Sequence, residues 1–200
     1  LCSRSVLSKT GPMVPFILGI GGTTRPNSST EKAIRVCLKV AAANGAETLM
    51  LGAADLQLPL YAWENQTRTK EAARLVEEAR RADGIVLASP GYHGTISGLV
   101  KNAVDYVEDM NKDPRPYFDG RAVGCIAVAS GWQASVTTLT ALRSIVHALR
   151  GWPTPVGVAL NSTVKLFDDD GNCLDENAKE QLELMGQQVF QFARMQMAMK

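Results

Sequence analysis

Six consecutive residues near the middle of the chain combine an aromatic ring, an imidazole and two glycines: Ser89-Pro90-Gly91-Tyr92-His93-Gly94. They follow the uncharged aliphatic run 84–88, which is typical of a strand buried on both faces of a parallel sheet. Because a proline cannot donate to a ladder, we expect the strand to end before Pro90 and a tight loop to begin there. Ligands of open α/β sheets bind outside the carboxyl ends of the strands. An aromatic and an imidazole in this loop therefore suit a flat, heteroaromatic ligand.

A second loop is rich in hydrogen-bond donors and follows the first predicted strand, Phe16–Ile20. Its candidate ligand-binding side chains are Thr23, Thr24, Arg25, Asn27, Ser28, Ser29 and Thr30. A helix pattern begins directly after them, so the unpaired N–H groups and positive dipole end of that helix add to the donor set. Such a loop suits a phosphate, although a Ser/Thr-rich helix cap without a ligand would look similar.

The type of phosphate can be narrowed by the motifs that the loop lacks. The run Gly19–Thr24 fails the dinucleotide fingerprint, since Thr24 occupies the place of its last small residue and no acidic residue closes the second strand. A Walker loop is excluded because no Gly-Lys-Ser/Thr is present. A hydroxyl-lined loop fits a terminal phosphate monoester better than a bridging pyrophosphate.

Strand and helix patterns alternate along the chain and predict the elements that position these loops. The expected strands are 16–20, 47–51, 84–88, 121–129 and 155–160. They predict an α/β fold with a doubly wound, five-stranded parallel sheet and helices on both faces. We expect one domain over residues 13–200, and interpret 1–12 as a cloning leader or a disordered arm, with a transit peptide as the alternative.

Composition excludes several classes of protein. Lys plus Arg (21) and Asp plus Glu (20) nearly cancel, which gives no reason to expect nucleic acid or a membrane surface as partner. Four scattered cysteines and two histidines predict neither a disulfide framework nor a metal site, and a cytoplasmic setting is expected. The acidic run 168–171 is predicted to be a turn, because its spacing fails the calcium-loop pattern.

The segment Ser89–Asp105, which includes Lys101-Asn102 and Asp105, resembles the signature of the NAD(P)H-dependent FMN reductase family. The run Gly22-Thr23-Thr24-Arg25-Pro26-Asn27-Ser28 is similar to the family's Gly-Ser-x-Arg-x-x-Ser motif, with threonine in place of the first serine. The resemblance implies a flavodoxin-like fold, FMN and NAD(P)H as cofactors, and hydride transfer from the pyridine nucleotide to the flavin. It also implies a homodimer or homotetramer, and leaves room for a monooxygenase that receives reduced FMN.

The resemblance also implies roles for individual residues. Those expected to bind the phosphate are Thr23, Arg25, Asn27, Ser28 and Ser29, and those expected to bind the flavin ring are Pro90, Gly91, Tyr92, His93, Gly94, Ser130 and Gly131. No catalytic side chain is expected, because the flavin carries the chemistry. Lys101 and Asn102 are expected to anchor the Pro90–Gly94 loop. The family is rich in glycine in the loop that contains Trp132, so this residue departs from the family pattern. Its side chain is expected to cover the flavin, contact a partner subunit or pack in the core.

Related activities remain open at this point. A quinone, azo or chromate reductase would share both loops, and the sequence does not distinguish NADH from NADPH. A flavodoxin-type electron carrier is disfavoured, since such carriers are strongly acidic and this chain has a formal charge of +1. The long connection 52–68 is expected to line a pocket rim or a subunit contact, or to pack on its own domain. His147 is expected to be a solvated or helix-capping residue.

Overall fold

Strands and helices alternate in the computed structural model, which describes residues 14–199. The strands are β1 (Phe16–Gly21), β2 (Glu47–Leu51), β3 (Gly84–Tyr92), β4 (Thr95–Ile96), β5 (Ala122–Ala129), β6 (Trp152–Pro153) and β7 (Val158–Asn161). The helices are α1 (Ser29–Ala43), α2 (Lys70–Arg81), α3 (Gly98–Asp105), α4 (Trp132–Ala148) and α5 (Glu176–Ala198), with a 3-10 helix at Tyr106–Met110 after α3.

The parallel sheet runs in the order β2-β1-β3-β5, and both β6 and β7 pair with the far side of β5. The strand order reverses between β1 and β3, which is the arrangement of the flavodoxin-like fold. The predicted fold class is therefore confirmed. The hairpin between β3 and β4 is antiparallel and lies at the carboxyl edge.

Helices cover both faces of the sheet, because successive side chains of each strand point to opposite sides. Leu18 and Leu87 pack beneath α2, α3 and α4, whereas Ile17 and Val86 pack beneath α1 and α5. The buried strands are apolar along their whole length, as the sequence of β5 illustrates.

The strand β3 is longer than expected, and the prediction that it ends before Pro90 is wrong. Ser89 and Pro90 continue in register with Ala127 and Val128 of β5. The neighbouring β1 ends at Gly21, opposite Ala88, so the chain at Pro90 has a partner on one side only. A proline is tolerated there, as it is on an edge strand.

The fifth strand position is divided into two pieces, whereas a continuous strand from Pro155 was expected. Pro153 pairs with Val123 and Val158 pairs with Ile126, so two residues of β5 face four of the edge strand. The excess residues form a bulge in which the Thr154 hydroxyl donates to the carbonyl of Val156 at 2.7 Å. Pro155 lacks an N–H group and so belongs to the bulge rather than to the ladder.

Several expectations concern the periphery of the fold. The expected turn at 168–171 is found: Asp168 accepts a hydrogen bond from the Asn172 N–H at 2.7 Å, and Gly171 has φ = 88°. His147 is exposed in the last turn of α4, as expected. The proposed leader 1–12 lies outside the described residues, and the single domain over 13–200 stays a prediction.

Two kinds of site are absent from residues 14–199. Within that range no helix is both long and apolar enough to cross a bilayer. Nor do three or more His, Cys, Asp or Glu side chains come together there in a group that could hold a metal ion.

Candidate functional site

Three loops follow neighbouring strands at one edge of the sheet. β1, β3 and β5 lie side by side and run parallel, so the segments after their carboxyl ends are also neighbours. We call these segments the first loop (22–28), the hairpin (91–96) and the third loop (130–131). They lie at the point where the strand order reverses, which is where open α/β sheets bind ligands.

The end of β1 approaches β3 closely because Gly21 has no side chain. A Cβ atom there would lie 2.0 Å from the carbonyl oxygen of Ala88, and Gly21 has φ = 144°. The next residue, Gly22, also has a positive φ of 143°. These two glycines allow the chain to turn from β1 towards the amino end of α1.

The predicted phosphate-binding residues occupy this loop in two groups. Thr23 and Ser28 are engaged within the protein: the Thr23 hydroxyl accepts from the Arg25 N–H at 3.1 Å, and Ser28 caps α1 by accepting from the Glu31 N–H at 3.4 Å. Arg25, Asn27 and Ser29 are more open. Within residues 14–199, neither the guanidinium of Arg25 nor the hydroxyl of Ser29 makes a hydrogen bond to protein, so both remain available.

Glu31 belongs to this site although the sequence analysis did not select it. Its carboxylate is 3% exposed and accepts from the Asn27 N–H at 2.7 Å and from the Ala53 N–H at 2.8 Å. The spacing Ser28-x-x-Glu31 is that of a capping box, and this signal could have identified it. In the usual capping box the glutamate accepts from the N–H of the N-cap residue itself. Here Glu31 accepts from the N–H of Asn27, the residue before the N-cap.

The hairpin presents Tyr92, His93 and Gly94 to solvent. Tyr92 pairs with Thr95, and the two residues between them have φ = 49° and 90°, as a two-residue type I′ turn requires. Tyr92 is 51% exposed, and the His93 ring has no hydrogen-bond partner within residues 14–199. Pro90, in contrast, is buried beneath the hairpin.

The base of the hairpin is fixed from two sides. Ser89 accepts from the Ser97 N–H at 3.0 Å, and Ser97 in turn caps α3. Gly91 packs on α4, where an added Cβ would lie 2.6 Å from the Thr138 hydroxyl oxygen and 2.9 Å from the Ala129 Cβ. A glycine at position 91 therefore allows the hairpin and α4 to meet.

The third loop contains Ser130 and Gly131 and is held by the end of the edge strand. Asn161, the last residue of β7, accepts from the Gly131 N–H at 3.0 Å and from Thr163 at 2.9 and 3.1 Å. Gly131 has φ = 119°, so a side chain there would be strained. Asn161 was not selected from the sequence, although it directly follows the predicted strand 155–160, and a polar residue at that position is a signal that could have found it.

Trp132 begins α4 beside the third loop and is 63% exposed. Of the three expected positions for this side chain, packing in the core is wrong, because the side chain is largely exposed at the first residue of α4. Its ring lines a cleft of about 430 Å³ together with Val136, Asn161 and Val164.

Lys101 and Asn102 do not anchor the hairpin. Lys101 pairs with Asp105 at 2.5 Å on the exposed side of α3. Asn102 instead holds the long connection: it accepts from the Tyr61 N–H at 2.9 Å and donates to the Pro59 carbonyl at 2.8 Å.

Ionisable groups with shifted pKa values lie where the long connection meets the 3-10 helix. Hydrogen bonds from Arg68 lower the pKa of the Asp109 carboxyl below its ordinary value. Burial, followed by the charge of Asp109, raises the pKa of Tyr61. Its hydroxyl donates to Asp109 at 3.2 Å. The connection packs on α3 and the 3-10 helix while it leaves Leu60 and Trp63 largely exposed.

The residues at this edge fit a flavin mononucleotide. A guanidinium, an amide and a hydroxyl with free donors meet the amino end of α1, which is a suitable set for a phosphate monoester. An exposed aromatic ring and an imidazole on the hairpin provide surfaces for a planar ring system. Arg25, Asn27 and Ser29 would hold the phosphate, and Tyr92, His93 and the third loop would contact the ring.

The fold and the site define a flavodoxin-like α/β protein with a donor-rich loop at its switch point, next to the amino end of α1. Residues 15–165 match the family described as "NADPH-dependent FMN reductase", and the chain belongs to this family. The resemblance found in the first loop and the hairpin is thereby confirmed.

Two relatives are similar over part of their length. An NADPH azoreductase of Bacillus sp. (strain OY1-2) is 32% identical over 124 residues, which cover 62% of this chain and 64% of the relative. An FMN-dependent NADPH-azoreductase of Staphylococcus aureus is 36% identical over 108 residues, 54% of each chain. The matched segments thus span between half and two thirds of these relatives.

Solved structures share the fold at low sequence identity. RosB with a bound 8-demethyl-8-formylriboflavin-5′-phosphate intermediate superposes with a TM-score of 0.76 at 16% identity, over 92% of this chain and 81% of RosB. The flavoenzyme FerB of Paracoccus denitrificans, an NAD(P)H:(acceptor) oxidoreductase, has a TM-score of 0.64 at 20% identity, over 91% and 98% of the two chains. These similarities establish the flavodoxin-like architecture.

Proposed function

We propose that this protein binds FMN at the three-loop edge and uses NADPH to reduce it. The observation that supports this most strongly is the meeting of two family motifs at one place: the first loop at the amino end of α1 and the hairpin after β3. When bound, the flavin accepts hydride from the pyridine nucleotide and passes electrons on. The protein contributes binding and orientation.

Each segment has a separate part in this proposal. Arg25, Asn27 and Ser29 bind the phosphate, while Thr23 and Ser28 keep the loop in shape through their own hydrogen bonds. Tyr92, His93 and Gly94, supported by Pro90 and Gly91, line one side of the ring, and the backbone of Ser130 and Gly131 lines its edge. The complete proposed site consists of Thr23, Arg25, Asn27, Ser28, Ser29, Pro90, Gly91, Tyr92, His93, Gly94, Ser130 and Gly131.

A second activity is favoured by the relatives, both of which carry the name azoreductase. Reduction of an azo compound would use the same bound flavin and would differ only in the acceptor. A quinone acceptor is a related alternative. We place the electron acceptor on the face of the ring that the loops leave open.

Three further features are proposed, two from the family resemblance and one from the cysteines. We infer a homodimer or homotetramer, and the exposed Leu60 (87%) and Trp63 (75%) on the long connection are suitable for such a contact. A cytoplasmic setting agrees with unpaired cysteines among the described residues. Transfer of reduced FMN to a monooxygenase would require that the flavin be released rather than retained.

The proposal is tested with purified protein. A visible absorption spectrum before and after addition of FMN shows whether flavin binds, and oxidation of NADPH and NADH is then followed with FMN in excess. An azo dye and a quinone are compared as acceptors in a second step. Arg25→Gln is expected to weaken FMN binding about tenfold or more, equivalent to at least about 1.4 kcal/mol.

The matched control is Arg74→Gln, since Arg74 is an exposed arginine of α2 paired with Asp55. It is expected to leave FMN binding unchanged. Tight flavin without pyridine nucleotide oxidation would favour an electron carrier, and absence of flavin binding would refute the proposal.

A further inference from the structure

The buried carboxylate of Glu31 lies next to the first loop, which is proposed to bind a negatively charged phosphate. The Glu31 carboxylate is 3% exposed and is located in the first turn of α1. Burial of a carboxylate is unfavourable unless its oxygens are hydrogen-bonded. Near a phosphate, such a charge would also oppose binding by repulsion. The contacts of Glu31 provide a reason for its position.

Each carboxylate oxygen of Glu31 accepts from a different segment of the backbone. Oε2 bonds the Asn27 N–H at 2.7 Å, and Oε1 bonds the Ala53 N–H at 2.8 Å. Asn27 lies in the first loop and Ala53 lies just after β2. The side chain therefore joins the phosphate loop to the neighbouring strand connection by two charge-assisted hydrogen bonds.

Two glycines make room for this carboxylate. A Cβ added at Gly52 would lie 2.7 Å from Oε1 of Glu31, and one added at Gly22 would lie 3.1 Å from it. The conformation of Gly52 is one that alanine can adopt, whereas Gly22 has φ = 143°. The space around the carboxylate thus depends on residues from both segments that it joins.

The hydrogen bond to Glu31 turns the backbone N–H of Asn27 inward. Asn27 has φ = 58°, an uncommon conformation for a non-glycine residue, and its N–H points to Glu31. The guanidinium of Arg35 lies 3.2 Å from Oε2 and offsets part of the charge. The amino end of α1 and the side chains of Arg25 and Ser29 are left for the ligand.

We propose that Glu31 is a positioning residue that fixes the first loop for a phosphate monoester, so that the site selects FMN over riboflavin. This inference rests on the proposed function, since it assigns a determinant of specificity to the same site. Glu31 acts through the backbone of Asn27 and does not contact the flavin.

The test compares the affinities for FMN and riboflavin, which differ only in the phosphate. Glu31→Gln keeps the size of the side chain but has only one oxygen, so it can accept from one of the two N–H groups. We expect the Kd for FMN to rise about tenfold or more and the Kd for riboflavin to change less than about twofold. General damage to the fold would lower the affinity for both ligands. Flavin fluorescence quenching measures both constants.

Gly52→Ala provides a second variant, because it displaces the carboxylate without altering its chemistry. It is also expected to weaken the binding of FMN more than the binding of riboflavin. In the double variant the two effects should not add, since both act through the same contact. If Glu31→Gln does not fold, the FMN-to-riboflavin ratio of Gly52→Ala decides the question. Glu71→Gln is the matched control, an exposed glutamate in the first turn of α2.

The outcomes separate this inference from the function on which it rests. Failure of the unmodified protein to bind FMN refutes both. FMN binding in that protein together with an unchanged Kd in Glu31→Gln refutes the positioning role alone. Tighter FMN binding in Glu31→Gln would also refute it, because the carboxylate would then act by repulsion. An equal loss for FMN and riboflavin would assign Glu31 to general stability.

Discussion

Arg68 and Asp109 meet through two hydrogen bonds, from Nε to Oδ2 at 2.6 Å and from Nη2 to Oδ1 at 2.8 Å. The guanidinium carbon also lies 4.9 Å from the centre of the Tyr61 ring and 5.4 Å from that of Tyr106. Planar bidentate pairing with aromatic neighbours is specific to arginine. The pair joins the end of the long connection to the 3-10 helix after α3.

Arg68→Met is expected to lower the free energy of unfolding by about 1–3 kcal/mol, because it leaves a half-buried carboxylate without its cation. Urea denaturation measures the change. Arg74→Met serves as control: Arg74 and Asp55 pair at 3.0 Å, but their side chains are 50% and 34% exposed. This variant should change the stability by no more than about 0.5 kcal/mol. Equal effects of the two variants would show that the Arg68 pair contributes no more than a surface pair.

The same pair predicts a pH dependence. Hydrogen bonds from Arg68 lower the pKa of Asp109 in the folded state below the value of about 3.9 expected for an unfolded chain. Its contribution to stability is therefore complete only above pH about 5, where the carboxyl is ionised in both states, and is lost progressively as the pH falls towards and through the folded pKa. The difference in stability between the wild type and Asp109→Asn should shrink as the pH is lowered from about 5 to about 3.

Only this difference is informative, since Asp168 also has a lowered pKa, caused mainly by a hydrogen bond from Asn172. Protonation of both carboxylates therefore contributes to the loss of stability of the wild type at acid pH. A difference that stays constant across this pH range would contradict the role assigned to Asp109.

The architecture could be predicted from the sequence because its signals are local. Aliphatic runs such as 84–88 and amphipathic helices such as 70–81 have the correct period, and the two loop motifs are contiguous. The sequence could not show that β3 continues through Pro90, since this depends on where β1 ends. The bulge at 154–157 likewise depends on register with β5, which is a non-local property.

The same distinction applies to the candidate site. Residues of the first loop and the hairpin could be predicted from the sequence because they form contiguous motifs. Sequence signals could have marked Glu31 and Asn161, but not their distant contacts. Glu31 bonds Ala53, 22 residues away, and Asn161 bonds Gly131, 30 residues away. Asn102 was selected, but the partner expected for it was wrong: its amide bonds the long connection and not the hairpin.

Thiol reactivity should differ sharply among the described cysteines. Burial raises the pKa of Cys125 to about 12 and also raises that of Cys37, whose thiol donates to the Leu182 carbonyl at 3.1 Å. Partial burial also raises the pKa of Cys173, so its thiol differs from the other two mainly because it is partly exposed to solvent. Cys2 lies outside the described residues, so the experiment uses a Cys2→Ser background.

In that background we expect one thiol to react rapidly with Ellman's reagent at pH about 8 and the other two to react only after urea is added, because thiolate formation and access both limit the rate. Cys173→Ser should abolish the rapid phase. Similar rates for all three thiols in the folded protein would contradict the burial of Cys37 and Cys125.

Thr138 has a buried hydroxyl without a hydrogen-bond partner among residues 14–199. The residue is 0% exposed, and its oxygen faces Gly91 at the base of the hairpin. Thr138→Val replaces this oxygen by a methyl group of similar size, so it removes an unsatisfied polar group without creating a cavity. We expect the free energy of unfolding to rise by up to about 1–2 kcal/mol, measured by urea denaturation.

Thr137→Val is the control on the same helix, because the Thr137 hydroxyl is exposed and donates to the Gln133 carbonyl at 2.9 Å. Its stability should stay within about 0.5 kcal/mol of the wild type. A loss of stability in Thr138→Val would indicate that a bound water satisfies the hydroxyl in solution. In either case the variant reports on the packing behind the hairpin, since the Thr138 oxygen is the atom nearest to an added Cβ at Gly91.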